Sequence, residues 1–182
     1  QTESPIVWDP ADKLEHLDPI ATVTIQGRPV HIRCWRYTIT GVNGHIVPVY
    51  LLDTSAATNA PEDQEITDFL YGGDDKYRFI QEVVLGVGGV EMLSKLNLRD
   101  IDHYHMNEGH SALLALRLTE RLLAKNGHAL PNTDDVAAVR RLCVFTTHTP
   151  VPAGHDQFPG SLVREVLGEH RTKLLFSTGF TG

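Results

Sequence analysis

The chain is predicted to be an α/β protein, because its first third has the pattern of β-strands and the remainder alternates between strands and helices. In residues 20–53, apolar and polar side chains alternate with a period of two, which predicts a β-meander of half-buried antiparallel strands. In residues 75–170, short apolar runs alternate with amphipathic segments. This order predicts βα units and a parallel sheet that is covered on both faces.

The meander is predicted to contain strands at residues 21–25, 30–37 and 45–52, with turns at Gly27 and at residues 41–44. After a polar loop, one long helix is predicted around residues 79–93, where apolar side chains recur at spacings of three and four. This helix holds Gly86, Gly88 and Gly89, each costing about 1 kcal/mol relative to alanine. We therefore expect another backbone to approach the helix closely there, with the helix buried against the sheet.

The βα units follow in order. A strand is predicted at residues 101–105 and a helix at about residues 111–125, with Asn126 and Gly127 as its end. A short helix begins at Thr133, where an N-cap residue is followed by two acids. The next strand is predicted at residues 141–146 and a further short helix at residues 159–167.

The bulk composition of the 182 residues excludes two classes of function. The net charge of −7 and the lack of any Lys and Arg cluster argue against nucleic acid as a partner. No apolar run approaches the roughly 20 residues that a membrane-spanning helix requires, so we expect no membrane partner.

The two cysteines, Cys34 and Cys143, lie inside apolar runs and are predicted to be buried, reduced thiols, which fits a cytoplasmic location. The chain begins with Gln1, and its only methionines are Met92 and Met106. It therefore does not begin at an initiator methionine, and we expect it to be a piece of a longer protein.

The first candidate site is HMNEGH at residues 105–110, where a strand ends and a helix begins. The carboxyl ends of strands are where open α/β sheets bind their ligands. Asn107, Glu108 and His110 are candidate ligand-binding residues there. The alternative is that Asn107 and Glu108 only cap the following helix.

A zinc site is a further possibility, because His103, His105 and His110 lie within eight residues. On a strand, His103 and His105 would share one face. The spacing differs from His-Glu-x-x-His, and neither a cysteine nor a carboxylate at ligand spacing completes a shell. We therefore predict no metal.

The second candidate site is FTTHTPVPAGHD at residues 145–156, which follows the next strand. Pro150 and Pro152 hold an extended path that would fix His148 at low entropic cost, as suits a residue that orients a substrate. The alternative is a buried histidine satisfied by backbone carbonyls. A nucleophilic hydrolase is disfavoured, because there is no Gly-x-Ser-x-Gly elbow and neither cysteine has polar surroundings.

These two motifs resemble those of the α-glucan (glycogen/maltodextrin) phosphorylases of the bacterial type. The resemblance also includes YLLDT at residues 50–54, PED at 61–63, LYGGD at 70–74 and residues 78–89. It extends in order over nearly all of residues 20–170, which makes it far more specific than any single motif.

The resemblance implies a glycosyltransferase-B fold, of which residues 1–182 would be part of the N-terminal Rossmann-like, sugar-binding half. The implied reaction is phosphorolysis, in which inorganic phosphate removes the terminal glucosyl unit of an α-1,4-glucan as glucose 1-phosphate. The family's cofactor is pyridoxal phosphate, whose lysine would belong to the half not present here, so this chain alone would be inactive. The family includes allosteric enzymes, and the sequence leaves open whether the complete enzyme is a homo-oligomer.

The resemblance also implies roles for individual residues. His148 matches the family histidine that hydrogen-bonds the transferred glucosyl unit, and we expect it to be the catalytic residue of this chain. Substrate-binding roles are implied for four others: Asn107, Glu108, His110 and Thr149. His155 and Asp156 are weaker candidates, because they follow the loop.

Two other functions are kept as alternatives. One is a related glycosyltransferase-B enzyme such as a glycogen synthase, which would use a nucleotide sugar and no pyridoxal phosphate. The other is a non-catalytic α-glucan-binding domain that retains only the sugar-side pocket.

Overall fold

The computed structural model describes residues 8–70, 72–151 and 156–180, and it has an α/β fold, as predicted. Its strands and helices are, in order: β1 (Glu15–Ile25), β2 (Arg28–Thr40), β3 (Ile46–Asp53), α1 (Pro61–Gln64), α2 (Asp75–Val83), α3 (Gly89–Lys95), β4 (Tyr104–Asn107), α4 (Leu114–Asn126), α5 (Thr133–Leu142), β5 (Cys143–Thr146) and α6 (Gly160–Ser177). Short 3-10 turns occur at Pro10–Asp12 and Gly109–Ser111.

The first three strands form an antiparallel sheet in the order β1-β2-β3. The alternating pattern produces one buried face, which includes Val23, Val30 and Ile32, all at most 2% exposed. The other face carries exposed side chains such as Tyr37 and Ile39. The strands begin and end beyond the predicted ranges, since β1 starts at Glu15 and β2 continues to Thr40.

The predicted long helix is interrupted by one π-helical turn, Val84–Gly88, between α2 and α3. A Cβ on Gly86 would lie 2.9 Å from both the Leu113 Cβ and the Leu114 backbone nitrogen, and a Cβ on Gly88 would collide with Ile32. Both glycines therefore allow a close approach, to the start of α4 and to the sheet. The same expectation is wrong for Gly89, whose Cβ would meet nothing within 4 Å.

The second sheet contains β4 and β5, which pair in parallel in the register Tyr104 with Cys143 and Asn107 with Thr146. β5 is shorter than predicted because Arg141 and Leu142 still belong to α5, and β4 begins three residues and ends two residues later than predicted. In the described residues this sheet has two strands. The Rossmann-like domain of a glycosyltransferase-B fold, and the division of the chain into domains, therefore stay predictions.

The helices around this pair begin and end largely as their end signals predict. α4 ends at Gly127, which has a left-handed φ of 70°. α5 begins with a capping box in which Asn132 and Asp135 each bond the other's backbone, so the N-cap is Asn132 and the predicted N-cap, Thr133, is the first helical residue. The last helix is longer than predicted: α6 reaches Ser177, with a kink at Gly168, where φ is 78°.

Two hydrophobic clusters hold these elements together. The larger joins the buried face of the antiparallel sheet to α2, the π turn and α6, and the smaller joins α3, α4 and α5 to Met106 of β4. Cys34 is fully buried and Cys143 half-buried, and both are free thiols whose pKa burial raises. No described helix is both long enough and apolar enough to cross a bilayer.

Candidate functional site

The parallel strand pair brings the two sequence motifs together. β4 ends at Asn107 and β5 ends at Thr146, and these two residues are paired in register. The backbone N–H of Glu108 donates to the Thr146 carbonyl at 2.9 Å, which extends the pairing by one residue. Both motifs therefore leave the sheet at the carboxyl ends of its strands, where α/β sheets bind ligands.

The Glu108 carboxylate binds the backbone that follows β5. Its Oε1 atom accepts the N–H groups of His148 at 2.8 Å and Thr149 at 2.9 Å, and its Oε2 atom accepts the Thr147 hydroxyl at 3.1 Å. Glu108 is buried, with 5% of the residue exposed. These bonds, led by the one from the His148 N–H, lower the Glu108 pKa from its ordinary 4.5 to about 2. Glu108 is therefore a buried carboxylate whose charge is stabilised by donors from another strand.

The backbone of Glu108 has an unusual conformation, with φ 63° and ψ −169°. This region is strongly disfavoured for any residue other than glycine. Such a conformation persists only where surrounding interactions compensate for it, and the bonds to residues 147–149 are interactions of this kind. The strained residue connects the end of β4 to the turn that carries His110.

The His148 ring lies against Glu108 and Asn107. Nδ1 is 3.0 Å from Glu108 Oε1, and Nε2 is 2.8 Å from the side-chain oxygen of Asn107. A neutral ring with Nδ1–H toward Glu108 would use Nε2 as an acceptor, which the Asn107 amide could meet through its nitrogen after a flip. The His148 side chain is 58% exposed, so its ring is oriented by protein groups and still open to a ligand.

The geometry decides two of the sequence-level alternatives. The Glu108 side chain makes no capping bond to the turn that follows it, and it binds residues 147–149 instead, so the helix-cap interpretation is wrong for Glu108. His148 is exposed and bonded to side chains, so the interpretation as a buried histidine satisfied by carbonyls is also wrong. The catalytic and substrate-binding roles of these residues stay predictions.

The predicted residues fall into two neighbouring groups. Asn107, Glu108, His148 and Thr149 form the first, which we call the Glu108 cluster together with Thr147. His110 belongs to the second, in which its Nδ1 atom lies 3.7 Å from Asp156 Oδ2. Asp156 therefore takes part in a structured cluster, and His155 lies outside the described residues.

Sequence reasoning missed the two other members of this second group. Arg78 forms an ion pair with Asp156, and Glu82 hydrogen-bonds to the same carboxylate. Burial, followed by the charge of Asp156, raises the Glu82 pKa from 4.5 to about 8, which makes Glu82 the proton donor of the pair. A signal was present, because Arg78 and Glu82 are four residues apart on an amphipathic helix and so share one face. We call Arg78, Glu82, His110 and Asp156 the Asp156 cluster.

The described residues contain one group with the composition of a metal site, namely Glu82, His110 and Asp156, whose ligand atoms lie within 4.8 Å of one another. Arg78 already supplies a positive charge to Asp156, and a proton on Glu82 reduces the negative charge further. The cluster is thus compensated without a cation. The other two histidines of the zinc alternative lie elsewhere: His105 bonds the Thr146 hydroxyl at 2.7 Å, and His103 precedes β4.

Two cavities adjoin these clusters. One, of about 400 Å³, has apolar walls from β3 and the α2–π segment and reaches the Asp156 cluster. The other, of about 490 Å³, is bordered by His105, Asn107 and His110 together with the start of α4. His110 lines both cavities. The carboxyl end of the parallel sheet therefore offers polar groups beside space that a ligand could fill.

Comparison with known proteins relates the chain to a family. No protein-family model matches the chain. A maltodextrin phosphorylase of Thermococcus litoralis is 38% identical over 147 residues, or 81% of this chain. The chain is a relative of the α-glucan phosphorylases. Glycogen phosphorylases of Mycobacterium tuberculosis and Aquifex aeolicus are 38% and 32% identical over 69% and 79% of the chain.

The chain spans only a small part of each phosphorylase relative, namely 17% of the Thermococcus litoralis protein, 15% of the Mycobacterium tuberculosis protein and 19% of the Aquifex aeolicus protein. The similarity to phosphorylases therefore concerns one segment of a much longer protein.

Proposed function

We propose that this chain forms part of the glucan-binding side of an α-glucan phosphorylase. The reaction is phosphorolysis, in which inorganic phosphate removes the terminal glucosyl unit from an α-1,4-glucan such as glycogen, starch or maltodextrin and yields glucose 1-phosphate. The supporting observation is that Glu108 holds the backbone of His148 and Thr149 while the His148 ring stays open to a ligand. The proposed architecture is the glycosyltransferase-B fold that the resemblance implies.

In this proposal His148 hydrogen-bonds a hydroxyl group of the glucosyl unit that is transferred. Glu108 orients the ring through Nδ1, and Nε2 would exchange its contact with Asn107 for the sugar hydroxyl, so only one contact changes when the sugar binds. A bond that strengthens as the sugar distorts towards the transition state raises turnover. Asn107 and His110 border the adjoining cavity and would contact other hydroxyl groups, while Thr149 continues the segment.

The phosphorylase family uses pyridoxal phosphate, which its enzymes bind through a lysine. The five lysines of this chain do not fit that role: four are exposed, and Lys76 is partly exposed and pairs with Glu165. None of them borders either cavity. The lysines of this chain would therefore not hold the cofactor.

A second candidate is α-glucan binding without catalysis. It is favoured by one observation, that the Glu108 cluster is assembled entirely from residues of this chain. Binding would then not require the remainder of a phosphorylase. The two candidates share the sugar site and differ only in turnover.

The test is an NMR titration of the 182-residue chain with maltotetraose, with the β-1,4-linked cellotetraose as the control sugar. We expect maltotetraose, but not cellotetraose, to shift the NMR signals of His148 and Asn107. The His148→Ala variant should lose this response, whereas His45→Ala, an exposed histidine in the β2–β3 turn, should retain it. An absence of any maltotetraose response, or equal responses to both sugars, would refute a specific α-glucan site.

Turnover is measured in a longer protein that contains these residues and the cofactor-binding portion of a phosphorylase. Release of glucose 1-phosphate from maltodextrin and phosphate supports the enzyme. Binding of maltotetraose without phosphorolysis supports the non-catalytic candidate.

A further inference from the structure

We propose that Arg78, Glu82 and His110 are positioning residues, which hold Asp156 and thereby fix the segment that carries His148 and Thr149. The proposal rests on the proposed function in so far as His148 is the residue that meets the sugar. The placement of the segment itself can be tested without any sugar.

The segment after β5 is held at two separate points. Near its start, Glu108 accepts the N–H groups of His148 and Thr149. Further along the chain, Asp156 pairs with Arg78 of α2 and faces His110 at 3.7 Å. Pro150 directly follows Thr149 and restricts the backbone there, so we expect the two attachments to be coupled.

The second attachment joins different parts of the fold. Arg78 and Glu82 belong to α2, whose apolar side chains Phe79 and Val83 pack in the larger hydrophobic cluster. His110 lies on the turn directly after Glu108. The Asp156 cluster therefore connects the His148 segment both to the main core and to the end of β4. Its side chains are 14% exposed for Asp156 and 32% for Arg78, so water screens the pair only partly.

The attachment is linked to one proton. The pKa of Glu82 is raised to about 8 by burial and by the charge of Asp156, whereas Arg78 opposes the shift. His110 also lies close to Glu82, and Tyr50 of β3 lines the same cavity. Below this pKa, Glu82 donates to Asp156. Above it, two carboxylates compete for Arg78, and the attachment weakens.

The experiment measures amide hydrogen exchange by NMR at His148 and Thr149 in the complete 182-residue chain. In Arg78→Met we expect both amides to exchange about tenfold faster than in the parent, since a charged hydrogen-bonded partner of Asp156 is lost. Arg78→Lys should restore part of the protection. Lys76→Met, a change on the same helix in a residue that pairs with Glu165, is the matched control and should leave both amides unchanged.

The amides of Val30 and Ile32 in β2 report on general stability. If their exchange in Arg78→Met accelerates as much as that of the His148 and Thr149 amides, Arg78 acts on the whole fold, and the positioning role is overturned. Unchanged exchange at His148 and Thr149 in Arg78→Met overturns it as well.

The Glu82→Gln variant tests whether the proton on Glu82 strengthens the attachment of Asp156. Comparing parent and variant at the same pH removes the intrinsic pH dependence of exchange. We expect equal protection at about pH 6 and weaker protection in the parent at about pH 9.5, where only the parent carries a charge at this position. Equal protection at both values overturns the role of Glu82.

The same samples are titrated with maltotetraose, which separates this proposal from the proposed function. The expected exchange changes without sugar binding would retain the positioning role and reject the glucan site. Sugar binding with unchanged amide exchange would retain the glucan site and reject the positioning role.

Discussion

The backbone N–H of His148 donates to Glu108 Oε1 at 2.8 Å, from a position 40 residues further along the chain. This bond joins the ends of two parallel strands, and the side chains of the same two residues also meet, at 3.0 Å between His148 Nδ1 and Glu108 Oε1. One carboxylate therefore sets both the backbone and the ring of the proposed catalytic residue.

The first prediction concerns acid. The folded-state pKa of Glu108 is about 2, below its ordinary 4.5, so its ionised form stabilises the fold above the ordinary value. This contribution should disappear as the pH falls from about 5 to about 2. We expect urea unfolding to show Glu108→Gln less stable than the parent at about pH 6 and the difference to shrink in acid. Glu62→Gln, on an exposed carboxylate, is the control, and a difference that stays constant with pH would contradict the prediction.

The second prediction concerns turnover in a longer protein that contains this chain. His148→Ala should lower the rate of phosphorolysis by about a hundredfold or more, because a preoriented hydrogen-bonding group is lost from the transition state. The fold should survive, since the ring is exposed. Steady-state phosphorolysis rates and circular dichroism measure the two effects. Rates within about threefold of the parent would exclude the proposed role of His148.

The third prediction separates two neighbouring glycines. Gly86→Ala should destabilise the fold by about 1–3 kcal/mol, because the new Cβ would lie 2.9 Å from the Leu113 side chain and the Leu114 backbone. Gly89→Ala should stabilise it by roughly 0.5–1 kcal/mol, because the helix gains a better former and the Cβ meets open space. Thermal or urea unfolding of both variants is the measurement. Changes of the same sign would show that packing at Gly86 is looser than the structure indicates.

The fourth prediction concerns the start of α5, the helix that leads into β5. The Asn132 side chain accepts the N–H groups of Asp134 and Asp135 at 2.9 Å. Asn132→Ala should therefore cost about 1 kcal/mol of unfolding free energy. Asn132→Asp keeps an acceptor and should stay close to the parent. Equal losses in both variants would mean that the side-chain amide, and not the cap, is what matters there.

Local signals in the sequence were sufficient for much of the fold. The alternation that places Val30 and Ile32 on one face depends only on the period of a strand, and the end of α4 at Gly127 depends only on a left-handed φ that glycine tolerates. The π turn at Val84–Gly88 was not predicted, because it depends on how the helix fits between the sheet and α4. The extra turns of α6 were missed because Gly168 looks like the end of a helix.

The sequence by itself determined the α/β class, the two motifs at the strand ends and the resemblance to phosphorylases, because each depends on residue types at fixed local spacing. Only the tertiary structure decided that Glu108 binds residues 147–149 and does not cap a helix, and that Asp156 meets Arg78, Glu82 and His110. These partners are far apart in the chain, and a carboxylate can satisfy its acceptor atoms in many ways. The parallel pairing of β4 with β5 and the packing of α2 select one of them.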